Sequence, residues 1–142
     1  MPKKGLTKAD VPAWCLAWET ALGLSDWDIE VSLVPHAQLI TEHGDTGIMG
    51  ACRTDDAHKV ACIEVVDPVD GAKMTKDMVN YDLEYTLLHE HLHVCFDELD
   101  RVFENMLGLL GGEARALMRH TYNNTQEQLI NQLTKAFRRL KK

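Results

Sequence analysis

The residues with the clearest chemical content run Leu87-Leu88-His89-Glu90-His91-Leu92-His93-Val94. His89, Glu90 and His93 carry the spacing H-E-x-x-H. On a helix, positions four apart stand one above the other, their Cβ atoms about 6 Å apart, so two imidazoles can grip one ion. Zinc suits such a pair because it takes nitrogen and oxygen ligands in a tetrahedral shell and can keep one place for water. Glu90 projects about 100° round the helix from His89, which leaves its carboxylate free to act as general base on a metal-activated water. His91 lies about 200° round and cannot reach the same ion, so it reads as a supporting or packing residue. Leu87, Leu88, Leu92, Val94, Cys95 and Phe96 surround the motif. That apolar setting implies burial, where an unpartnered polar group costs about 2–7 kcal/mol. A metal ion supplies the partners.

A helix must hold this motif, and the sequence places one from Asn80 to Asp100, extending toward Leu110, with Gly111-Gly112 as its break. Upstream, an N-terminal helix is expected from Asp10 to Leu22. Asp10 can cap it, Pro12 sits in its first turn and Gly23 follows its end. Its stripe of Val11, Trp14, Cys15, Trp18 and Leu22 marks the tryptophans as core. From Trp27 to Leu33 the period changes to two, with Trp27, Ile29, Val31 and Leu33 facing one way and Asp28, Glu30 and Ser32 the other, as in a half-buried strand. Strand-like runs follow at Gly47–Arg53 and Val60–Val66, joined by a polar turn at Thr54–His58. Loops are expected at Thr41–Thr46 and Asp67–Asp77. A C-terminal helix is announced at Thr125-Gln126-Glu127-Gln128 by capping-box spacing, burying Ile130, Leu133, Phe137 and Leu140. The order of helix, three strands and helices predicts one α+β domain over residues 1–142, with a small mixed or antiparallel three-stranded sheet.

Composition narrows the function classes. With 45% hydrophobic and 26% charged residues, the chain has the make-up of an ordinary globular protein. No apolar run approaches the roughly 20 residues that cross a bilayer, and no secretory h-region follows the early lysines, which points to the cytoplasm. A formal net charge of −7 argues against a nucleic-acid binder. The basic run Lys135, Arg138, Arg139, Lys141 and Lys142 reads instead as the complement to a helix C-terminus. Cys15, Cys52, Cys62 and Cys95 form no CxxC pair and are expected to be reduced. Cys52 and Cys62 could meet across the hairpin, but a one-residue change of register would separate them.

On its H-E-x-x-H helix, His89 to His93, the chain resembles the zincin metallopeptidases. In that family the motif helix follows a small mixed sheet whose edge strand lies beside the cleft and can pair with a bound peptide. The strands at Gly47–Arg53 and Val60–Val66 precede the motif helix in a matching order. The layout is also similar to small bacterial and phage metallopeptidase-like proteins. The resemblance implies a zinc-dependent hydrolase acting on a peptide or protein substrate, with Glu90 as general base.

A third zinc ligand is then required. In glutamate-type zincins a downstream helix offers a Glu, and an acidic or amide residue four positions later supports a ligand histidine. Glu127 and Asn131 match that spacing, with Asn a weaker orienting group than Asp. His120 is the rival, although the Gly-rich extension that usually accompanies a third histidine is missing. Glu113 and Glu104 stay open. Asp97, roughly 12 Å along the axis from His89, is out of reach. Tyr122 and His120 are candidate donors to an oxyanion. Two rival readings remain beside hydrolysis: a non-catalytic zinc-binding interaction module, and a metal-free helical protein whose histidines only pack. Substrate specificity and oligomeric state are not written in the sequence.

Overall fold

A computed structural model describes residues 5–68 and 81–140. After a 3-10 turn at Lys8–Asp10, the chain forms α1 (Val11–Ala21), β1 (Asp28–Val34), α2 (His36–His43), β2 (Gly50–Asp55), β3 (Val60–Val66), α3 (Leu83–Leu107) and α4 (Gly112–Leu140). The fold is α+β, with four helices and a three-stranded mixed sheet among the described residues. The strands lie in the order β1-β3-β2, with β1 parallel and β2 antiparallel to the central β3.

The alternating pattern decides which face of the sheet is covered. Ile29, Val31 and Leu33 of β1 register with Ala61, Ile63 and Val65 of β3. These residues meet Trp14 and Trp18 of α1, Leu87, Leu88, Leu92 and Val94 of α3, and Ile130 of α4 in one apolar cluster. Leu87, Leu88, Ile63 and Val65 are fully enclosed. Each such side chain contributes about 1.5–3 kcal/mol by leaving water, so the motif helix is fixed chiefly by its apolar neighbours. Among the described residues, no helix is long and apolar enough to cross a membrane.

The expected order of elements is present, with four differences. The stretch expected as a loop at Thr41–Thr46 is partly α2. It was hard to see because only His36 and Leu39 of its eight residues are buried, too few to mark a stripe. Gly44, at φ 71°, ends it in the left-handed region that favours glycine. This helix covers the other sheet face, joining Leu39 to Val34 and Val66.

The second difference is the start of α4, at Gly112 rather than near Thr125. Its first half has no buried stripe and packs against the outer half of α3 through side-chain pairs. Phe103 stacks on Tyr122 at 3.9 Å between ring centroids, and Arg119 pairs with Glu104 at 2.7 Å. Arg115 donates to the carbonyl oxygens of Leu107 and Leu110, closing the C-terminal end of α3.

Third, Asp10 precedes α1 without capping it; its carboxylate accepts from the Thr7 backbone instead. Fourth, the strand expected at Gly47–Arg53 runs Gly50–Asp55. All four cysteines are free, as expected; Cys52 registers with Ile63 and Cys62 with Arg53, so those two thiols point to opposite faces. The helix start at Asn80, most of the Asp67–Asp77 loop, and Lys141 and Lys142 lie outside the described residues.

Candidate metal centre

α3 is anchored at its first turn. Asp82 caps it, accepting a hydrogen bond from the Tyr85 backbone at 3.0 Å. Its other carboxylate oxygen pairs with Arg138 of α4 at 2.7 Å. Arg138 also lies over the Tyr85 ring, 6.0 Å from its centroid. A residue that the sequence assigns to a helix dipole therefore has a specific partner at the start of the motif helix.

Two turns on, three donors meet. His89 Nε2 and His93 Nε2 are 3.2 Å apart. Glu127 reaches across from α4, with Oε2 at 3.3 Å from His89 Nε2 and Oε1 at 3.0 Å from His93 Nε2. Ligands held tetrahedrally at ~2.0–2.1 Å from a zinc ion are ~3.3 Å from each other. The three separations lie near that edge length, the two histidines meeting different oxygens of Glu127, so this group could hold a metal ion. The other ring nitrogen of His89, Nδ1, is buried with no hydrogen-bond partner among the described residues. The ring thus directs its accessible nitrogen toward Glu127.

Electrostatics in the protein itself follow from this closeness. Hydrogen bonds from His89, then His93, hold the Glu127 carboxyl well below the usual carboxylate range. Burial pulls His93 downward, but the bond to Glu127 and the charges of Glu90, Glu127 and Asp100 outweigh it and raise its pKa. Burial pushes the Glu90 carboxyl up, against the opposing pull of His93 and His89.

Glu90 is 6% exposed and lies under the edge strand β2. A Cβ at Gly50 would come within 2.8 Å of Glu90 Oε1 and 2.8 Å of Thr86 Cγ2. Only glycine leaves the carboxylate its present place there.

His89, Glu90, His93, Glu127 and Asn131 all border one cleft of about 890 Å³, walled on one side by Gly47–Cys52 and Thr54. Asn131 does not bond a ligand histidine. Its Oδ1 accepts from the Tyr85 hydroxyl at 2.8 Å, and the Tyr85 ring stacks on His89 with centroids 6.2 Å apart.

The remaining sequence candidates sit elsewhere. His120 is exposed, bonded to Asn124 at 3.0 Å and about two turns (roughly 10 Å) before Glu127. Tyr122 bonds Asp100 at 2.5 Å and does not line the cleft. Glu104 is paired with Arg119, and Glu113 is exposed at the start of α4. His91 is fully buried on the opposite face, its Nδ1 donating to Leu87 O at 2.7 Å. Tyr85, Gly50 and Asp100 were missed as cleft residues. The signal for Tyr85 was present, one turn before His89 on the same face. Nothing local marked Gly50.

Fold and centre together define an α+β protein with a two-histidine, one-glutamate donor group beside a cleft. Comparison with protein-family models, curated proteins and solved structures found no match to the chain.

Proposed function

We propose that this protein is a zinc-dependent peptide hydrolase with a zincin-like fold. His89, His93 and Glu127 hold the ion, and Glu90 is the general base. The observation that carries the reading is the convergence of the three donors at 3.0–3.3 Å from two separate helices. Two further features support it. The cleft volume of about 890 Å³ is that of a ligand site. Beside it, among the described residues, β2 pairs with β3 on one side only, leaving a strand edge to which an extended peptide can add.

When bound, zinc supplies a Lewis acid and brings the pKa of a coordinated water toward ~7. The protein's own residues then have distinct tasks. Glu90, its carboxyl raised by burial, takes the proton from the attacking water and delivers it to the leaving amine. Tyr85 lines the cleft where Tyr122 and His120 do not, and its hydroxyl becomes a donor to the developing oxyanion when it turns away from Asn131 Oδ1. A non-catalytic zinc module would close the shell with a fourth protein ligand. Among the described residues only His89, His93 and Glu127 form this donor group, which favours hydrolysis.

The test combines elemental analysis with an unbiased peptide-library digest. His89→Ala and Glu127→Ala should each carry one zinc fewer than wild type. Glu90→Gln should keep its zinc and lose cleavage. Full cleavage by Glu90→Gln would sink the mechanism. A wild-type protein that takes up no zinc on reconstitution would sink the metal centre.

A further inference from the structure

On the far side of α3, a second group of ligating side chains is enclosed between α3 and α1. Cys15 and Glu19 stand one helical turn apart on α1, and His91 faces them from α3. Cys15 Sγ, a Glu19 carboxylate oxygen and a His91 ring nitrogen all lie within 4.8 Å of one another. His91 is wholly buried and Cys15 is 5% exposed, while the Glu19 side chain, 20% exposed, forms the side open to water.

The protons on His91 are constrained by its neighbours. Nδ1 lies 2.7 Å from the Leu87 carbonyl, which can only accept, so Nδ1 carries a hydrogen. This bond directs Nε2 at Glu19 Oε1, 3.3 Å away. At 3.3 Å this contact is long for a hydrogen bond and matches the nitrogen–oxygen edge of a tetrahedral zinc shell. A backbone carbonyl holding the far nitrogen is also the usual way in which a protein orients a ligand histidine.

We infer that Cys15, Glu19 and His91 form a second divalent-cation site, distinct from the one at Glu127 and built for a zinc-type ion. Sulfur, nitrogen and carboxylate donors together select a borderline ion over magnesium or calcium. The nitrogen–sulfur edge of such a shell is ~3.5 Å, inside the 4.8 Å that bounds the three donor atoms here. Binding displaces one proton, from the Cys15 thiol, because thiolate is the ligand form. The ion would staple α1 to the back of the helix whose front carries His89 and His93. This site stands whether or not the first centre is catalytic.

Cobalt(II), added to chelator-treated full-length protein, separates the two sites because only the second contains sulfur. Expected is a near-ultraviolet thiolate-to-cobalt absorption whose final intensity corresponds to one thiolate-bound cobalt per chain. It should disappear in Cys15→Ser and persist in Glu127→Gln. A Cys52→Ser/Cys62→Ser/Cys95→Ser variant leaves Cys15 as the single thiol and should keep the band, which assigns the sulfur even if Cys15→Ser fails to fold. No such band in wild type, or a band that is lost in the triple variant, would overturn the site.

Discussion

His93 Nε2 lies 3.0 Å from Glu127 Oε1, and this contact joins the middle of α3 to the middle of α4. It is an ion pair, an interhelical clamp and one edge of the candidate zinc shell at the same time. Its consequences differ with pH and with metal.

In chelator, the two partners give stability opposite pH limits. Glu127 titrates lower in the folded protein than its unfolded value of ~4.3. Its contribution is present above that value and is lost as pH falls through the native pKa. His93 titrates higher than ~6.5, so its contribution is present below that pH and is lost as pH rises through the native pKa. The metal-free melting temperature should therefore peak between about pH 4.5 and 6.5. Zinc competes with the proton on His93, so the rise in Tm that zinc produces should grow from about pH 6 to 8. Melting curves by circular dichroism check this; a zinc effect that shrinks with rising pH would count against the centre.

Gly50→Ala tests whether the edge strand positions the general base. The added methyl meets Glu90 Oε1 and Thr86 Cγ2, both at 2.8 Å. A shift of about 1 Å in a reacting group can lower the rate about 100-fold. We expect kcat for peptide cleavage to fall about 10–100-fold with zinc content unchanged, at a stability cost of about 1–3 kcal/mol for overpacking. Unchanged kcat would show that Glu90 tolerates displacement and is not the base.

Asp82 and Arg138 form one ion pair, but their alanine variants should differ. Both side chains are partly exposed, at 42% and 34%. Losing Arg138 removes a screened surface pair and should cost less than about 1 kcal/mol. Losing Asp82 also removes the cap on the Tyr85 backbone and should cost about 0.5–2 kcal/mol more. Urea unfolding of both variants measures the gap; equal losses would mean that the cap contributes nothing.

Leu88→Ala probes the packing that holds the motif helix. Leu88 is wholly buried in the cluster shared by α1, the sheet and α3. Truncation should cost about 2–5 kcal/mol, partly recovered by zinc. Denaturation with and without zinc reads both effects. No recovery by zinc would show that the ion does not bind the folded state preferentially.

Periodicity made much of this legible in advance. The run Val60–Val66 is a strand with the expected ends, because alternation is a local property of the chain. The same holds for His89 and His93 on one face and His91 on the other, since a helical pitch fixes those angles whatever surrounds it. Where a segment buries little, as in α2 and the first half of α4, there was no stripe to read. Both boundaries were then misplaced.

The pairing of two histidines and a glutamate within five residues was thus determined by sequence alone, as was the rotation of His91 away from them. Which carboxylate meets them was not. Glu127, His120, Glu113 and Glu104 all lie on α3 or α4; the spacing of Glu127 and Asn131 favoured Glu127 by resemblance, but no local pattern carries it to the histidines. The choice depends on how far α4 slides along α3, which is set by Ile130 in the common core, by Arg115 at the turn and by Arg138 on Asp82. The fit of Gly50 over Glu90, and the approach of Cys15 and Glu19 to His91, have the same origin. They are contacts between distant segments, fixed by packing of the whole core rather than by any single stretch of chain.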